Sequence, residues 1–139
     1  RYFGNLRLDY KISDALSVFG RISLDSYDEI QEERQAIGSV GVSSYNRFNR
    51  SFREYNYDLI LNYDQKISDA LTLRGVLGTN IRRTTIQSIF AATNGGLVVP
   101  RFYALSNSRN ALTPPTEGFS DLQVNGIFAN ATIGVLNTV

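Results

Sequence analysis

The chain has no cysteine, histidine, tryptophan or methionine in its 139 residues. Without cysteine there is neither a disulfide framework nor a thiolate metal site, and the redox compartment leaves no trace. Without histidine, the scattered serines have no imidazole base, so a barrel enzyme such as a lipase or protease ranks last among the functional readings. Charge of one sign is equally scarce. The 14 basic and 13 acidic residues leave a formal +1, which lacks the broad basic footprint that neutralises nucleic-acid phosphates. Long apolar runs are missing as well. No stretch approaches the roughly 18 consecutive apolar residues of a membrane-spanning helix, so a membrane crossing by this chain must use strands. No basic, apolar and small-residue leader precedes Arg1, where strand-like alternation is already under way, and the chain is expected to be part of a longer protein.

What the sequence does contain is alternation. Leu6, Leu8, Tyr10 and Ile12 interleave with Asn5, Arg7, Asp9 and Lys11, the period of a strand with one apolar and one polar face. After the turn residues Ser13, Asp14 and Ala15, Leu16, Val18, Ile22 and Leu24 oppose Ser17, Arg21, Ser23 and Asp25; Phe19 breaks the pattern and Gly20 takes an apolar-face position. A third stretch sets Tyr55, Tyr57, Leu59, Leu61 and Tyr63 against Glu54, Asn56, Asp58, Asn62 and Asp64, with Ile60 as the exception. A fourth carries Leu71, Leu73, Leu77 and Ile81 against Thr72, Arg74, Asn80 and Arg82, and a fifth carries Ile127, Ala129, Ala131, Ile133 and Val135. The expected strands cover about residues 3–12, 16–27, 53–67, 71–86 and 123–136, with long loops over about 28–52 and 87–122. The segment KISDALSVFG at 11–20 recurs as KISDALTLRG at 66–75, which makes the repeated unit a hairpin.

Strands of soluble proteins usually run about 5–6 residues, whereas crossing hydrocarbon takes about 9–11 tilted residues. Short turns at one end, long loops at the other and two-faced strands are the signature of outer-membrane barrels. The polar face, with Arg7, Asp9, Arg21, Asp58, Arg74 and Arg82, carries enough charge to line a wet lumen. The expected fold is therefore all-β, an antiparallel up-and-down transmembrane β-barrel segment. Five strands cannot close a barrel whose smallest bacterial form has about eight, and an open sheet would leave unpaired edges in lipid. The missing strands are expected outside this sequence. The competing reading is a soluble β-sandwich that binds carbohydrate.

The stretch REYNYDLILNYDQKISDALTLRGVLGTNIRRTTIQSIFAATNGGLVVPRFYALSNSRNALTPPTE, residues 53–117, closely resembles the SusC/RagA family of TonB-dependent outer-membrane transporters. LDYKISDALSVFGRISLDSYDEIQEERQAIGS, residues 8–39, is similar to that family too. The likeness includes loop residues Asn94, Gly95, Gly96 and Pro100, which strand periodicity does not dictate. The resemblance implies a 22-stranded barrel with an internal plug, located in the bacterial outer membrane. Such a barrel imports oligosaccharides or peptides with energy from the TonB complex, usually under a SusD-like surface lipoprotein that acts as a lid. The TonB box and plug have no counterpart in these residues, so the segment is not expected to transport anything alone.

Candidate sites are few. The stretch 43–57 interleaves arginine with aromatic rings, and Tyr45, Arg47, Phe48 and Arg50 could stack on sugars while pairing with an anion; an ordinary solvated loop is the plainer reading. The acidic run Asp25, Asp28, Glu29, Glu32 and Glu33 lacks the glycine-centred spacing of a calcium loop, and adjacent Glu32 and Glu33 fix no glycosidase geometry. Asn94-Gly95-Gly96 precedes neither GK[ST] nor a helix, so backbone freedom in a turn explains it better than phosphate binding. Pro114 and Pro115 interrupt any ladder in the second long loop. No catalytic residue, metal or cofactor is expected, and the expected partners are the lid lipoprotein, the TonB complex, outer-membrane lipid and the imported solute, without nucleic acid.

Overall fold

The computed structural model describes residues 1–135. It is 77% strand, with no α-helix among the described residues. β1 spans Tyr2–Lys11, β2 Leu16–Gln35, β3 Ser44–Ser68, β4 Leu71–Ala92, β5 Asn94–Leu97, β6 Ser108–Asn110 and β7 Thr116–Val135. The long strands form one antiparallel five-stranded sheet in the order β1-β2-β3-β4-β7, and β5 pairs antiparallel with β6 in a separate ladder. A sandwich would need a second sheet packed on an apolar face. Here the only other ladder among the described residues is two-stranded, and the only buried hydrophobic residues are Tyr45 and Leu97.

Both copies of the repeat turn the chain between antiparallel strands, over residues 12–15 in the first and over residues 69–70 in the second. Lys11 pairs with Asp14 at 2.6 Å, and Lys66 pairs with Asp69 at 2.9 Å. In the first copy the Ser13 N–H donates to the Leu16 carbonyl, and the Leu16 N–H reaches both the Ser13 carbonyl and its Oγ. A serine hydroxyl that accepts from the backbone across a tight turn stabilises that turn without requiring a left-handed residue. Asp14 and Asp69 accordingly keep negative φ.

The strands outrun the alternating pattern. β2 continues to Gln35 rather than ending near 27, and β3 begins at Ser44 rather than 53, so the expected loop of 28–52 shrinks to residues 36–43. β4 reaches Ala92, and β7 begins at Thr116, directly after Pro115. The expected loop of 87–122 thus contains strand at both ends, plus β5, a 3-10 turn over Leu105–Asn107 and β6. The reason is physical: residues such as 44–53 mix aromatic and polar side chains on both faces, so no apolar-polar alternation reveals them, yet backbone pairing extends a strand regardless of side-chain polarity. The expected end of the fifth strand at Leu136 lies outside the described residues.

The described residues fall into two compact units. The first holds Tyr2–Asp25, Glu54–Thr84 and the stretch from Leu122; the second holds Arg1, Ser26–Arg53 and Thr85–Asp121. In the first unit most of the apolar side chains keep to one face of the sheet, with Phe19, Ile60, Val76 and Phe128 on the other by strand parity. Leu59 approaches Gly20 on the neighbouring strand, and Tyr63 approaches Gly75. Leu6, Leu8, Tyr10, Leu59, Leu77 and Ile127 are all exposed.

Candidate functional site

The opposite face of the first unit is a ladder of charges. Asp58 on β3 accepts from Arg21 on β2 at 2.6 Å and from Asn80 on β4 at 2.6 Å, which ties three strands together. Its side chain is 12% exposed, against 49% for Arg21. The carboxylate is thus held by a guanidinium on one side and an amide on the other. Farther along, Thr84 donates to Glu54 at 2.9 Å, and Arg74 meets Asp64 at 3.1 Å. Phe19, which broke the sequence pattern, lies on this polar face with the Arg7 guanidinium 4.3 Å above its ring; a cation over the π face makes an aromatic tolerable among charges. Phe128 lies on the same face, against Gly78.

The second unit places the four residues singled out from the sequence, and it separates them. They are not in a loop; all four belong to β3. Strand alternation puts Tyr45 and Arg47 on one face and Phe48 and Arg50 on the other. Tyr45 is 4% exposed, and its phenol donates to Glu32 at 2.7 Å, so its ring is not available to stack on a solute. Arg47 donates to Asn49 at 3.2 Å. On the other face Phe52 stacks on Tyr27 at 4.9 Å between centroids. Arg50 lines an open cavity of about 670 Å³, together with Asp28, Glu29, Asn49, Gln87 and Glu117, and its Nε is buried without a hydrogen-bond partner.

Glu32 is the hub on the Tyr45 side. It accepts from Tyr45 and also from Arg34 at 2.5 Å, and Arg34 in turn lies 5.6 Å from the Tyr103 ring centroid. The Tyr45 hydrogen bond, helped by Arg34, holds the Glu32 carboxyl below its ordinary range, while the same bond and burial push the Tyr45 phenol up. The acidic run therefore does not converge. Alternation sends Asp28 and Glu32 to one face and Asp25, Glu29 and Glu33 to the other, and Glu33 takes a bond from Asn46 at 3.1 Å.

The short β5–β6 element carries no apolar-polar alternation to mark it as strand. Gly95 and Gly96 have φ of 71° and 102°, and a β-carbon at 95 would fall 2.3 Å from the Asn110 side chain. That close approach is why glycine stands there. Leu97 is fully buried, and its N–H donates to the Ser43 Oγ at 2.9 Å. Asn107 is buried with its amide saturated: Oδ1 accepts from the Val99 N–H, and Nδ2 donates to the Val99 and Phe102 carbonyls. The asparagine at 107 was the one available signal, because a side chain with both donor and acceptor can close a loop on itself.

No protein-family model matches the chain, and no curated protein matches it.

Proposed function

We propose that the chain is a wall segment of an outer-membrane β-barrel, part of a TonB-dependent transporter of the SusC/RagA kind that imports oligosaccharides or peptides beneath a SusD-like lipoprotein. The family assignment rests on the resemblance of residues 8–39 and 53–117. The barrel reading rests chiefly on the matched lengths of the apolar faces. These run over 16–24, 55–63, 71–81 and 127–135, that is 9, 9, 11 and 9 residues, and the next positions of the same parity are Ser26, Arg53, Arg83 and Asn125. At about 3.3 Å per residue and a tilt of about 40°, such lengths give about 23–28 Å, close to the ~25 Å apolar band of bacterial barrels.

The aromatics support the same reading. Tyr10 and Tyr63 stand toward the short-turn end of the apolar faces of β1 and β3, Tyr2 at the opposite end of β1 and Tyr55 at the opposite end of the apolar stretch 55–63, an arrangement that suits two interfacial girdles. Large apolar side chains exposed on one face, with a charged ladder on the other, suit lipid outside and water inside. The open edges of β1 and β7 would be paired by further strands of a longer protein.

The test is a denaturing gel of fractionated source cells, with boiled and unheated samples probed by an antibody to residues 1–135. A heat-shifting band in the outer-membrane fraction, several times the 15.5 kDa of the chain, is the expected result. A soluble band at the mass of the chain alone overturns it.

A further inference from the structure

We infer that the loop Val98 to Phe102 is a rigid docking knob for another protein, one that presents an apolar pocket with a carboxylate at its rim. Three observations in the second unit meet there. The loop is fixed in shape, since the buried Asn107 binds the backbone of Val99 on both sides and the carbonyl of Phe102, at 2.9, 2.8 and 2.6 Å. It is also strained next to its centre, because Arg101, after Pro100, has φ 61°, where side chains other than glycine are uncommon. Backbone strain of this kind persists where the surroundings impose it and gathers at functional sites.

The loop is also apolar and exposed. Val98 is 59% and Phe102 52% exposed. Val42 of the β2–β3 connection, also exposed, lies beside the base of the loop: Leu97 is tied to Ser43, and Val42 would touch a β-carbon at Gly96 at 3.4 Å. Exposed apolar side chains on a shape fixed in advance suit a protein contact, since little ordering entropy remains to be lost on binding. The charge selects the occupant. Arg101 is exposed amid these side chains and has no ion pair among the described residues, so a carboxylate on the partner is the complement it lacks. A lipid surface would need neither the fixed loop shape nor that single charge. The inference stands on the second unit alone and survives failure of the membrane reading.

The test uses the full-length protein in its own cells, with a photo-crosslinking amino acid replacing Phe102 and, as a control, replacing Asn110 of β6. The expected result is one adduct from position 102, identified by mass spectrometry as a single protein. Arg101→Glu should reduce it roughly tenfold, and reversal of one carboxylate on that protein to lysine should restore it. Asn107→Ala, which frees the loop but keeps every contact side chain, should weaken the adduct with the protein level unchanged. Should Arg101→Glu lower the protein level, Arg101→Gln is read in its place. Adducts with lipid, adducts only within the same polypeptide, or a protein adduct indifferent to both the charge and Asn107 would each overturn the inference.

Discussion

Phe128 on β7 covers Gly78 on β4 so closely that a β-carbon at 78 would lie 2.2 Å from the ring. The strand pair thus has a ring on one side and an empty position on the other, and neither is free to change alone. Gly78→Ala should force the ring aside and cost about 1 kcal/mol, the low end for overpacking because a ring can swing. In the full-length protein, urea unfolding of Gly78→Ala, Phe128→Ala and the double variant should show clear non-additivity, the double costing less than the sum. Strict additivity would mean that the two residues do not share this space.

Asp58 is the shared acceptor of Arg21 and Asn80, so its loss strands two donors at once. Asp58→Ala should destabilise by about 1.5–3 kcal/mol, as for hydrogen bonds to a charged group. Arg21→Ala should cost less than about 1 kcal/mol, since the guanidinium is half exposed and Asp58 keeps Asn80. Equal losses in chemical denaturation would show that Asn80 contributes nothing.

Tyr45 and Glu32 couple stability to pH, and both lie beyond the apolar-faced stretches. Glu32 is held below its ordinary 4.5, so its contribution is present above that value and is lost as pH falls through the lower folded-state value. Tyr45 is held above its ordinary 10.0, so its contribution is present below that value and is lost as pH rises through the higher one. An ultraviolet difference titration against Tyr45→Phe should therefore show one phenol ionising late, and Glu32→Gln should move it back toward 10.0. Tyr45→Phe itself should cost about 1 kcal/mol, the net value of one hydrogen bond.

Leu59 stands midway between Tyr55 and Tyr63 on the apolar face. If that face meets lipid, Leu59→Arg should cost about 2–4 kcal/mol for folding into vesicles, and Ile81→Arg, at the end of the band, about 0–1 kcal/mol. Asn56→Arg, on the charged face, should be nearly neutral. A flat profile across the three positions would remove the lipid from this face.

The alternating stretches were legible because one face is apolar and the other polar, and a period of two cannot satisfy both with any other backbone. That is why the pattern alone puts Leu59 and Asp58, adjacent in sequence, on opposite faces. The same logic misread 44–52 as loop. Tyr45, Arg47, Phe48 and Arg50 have no apolar-polar period, and a sequence that mixes rings and charges on both sides of a strand looks like a sequence with no strand. Grouping the four as one surface followed from that error, since neighbours in a loop can converge whereas neighbours in a strand diverge.

By itself the sequence determined the strand character, the two faces and the repeated hairpin. Each depends on residues within a dozen positions of one another and on local turn chemistry. The tertiary structure alone decided the burial of Tyr45 against Glu32, the joining of Arg21, Asp58 and Asn80, the fit of Phe128 over Gly78 and the loop closed by Asn107. All but the last join neighbouring strands across the sheet. The reason is that strand register fixes which side chains meet across a sheet, and register is a property of paired backbones that no single strand carries.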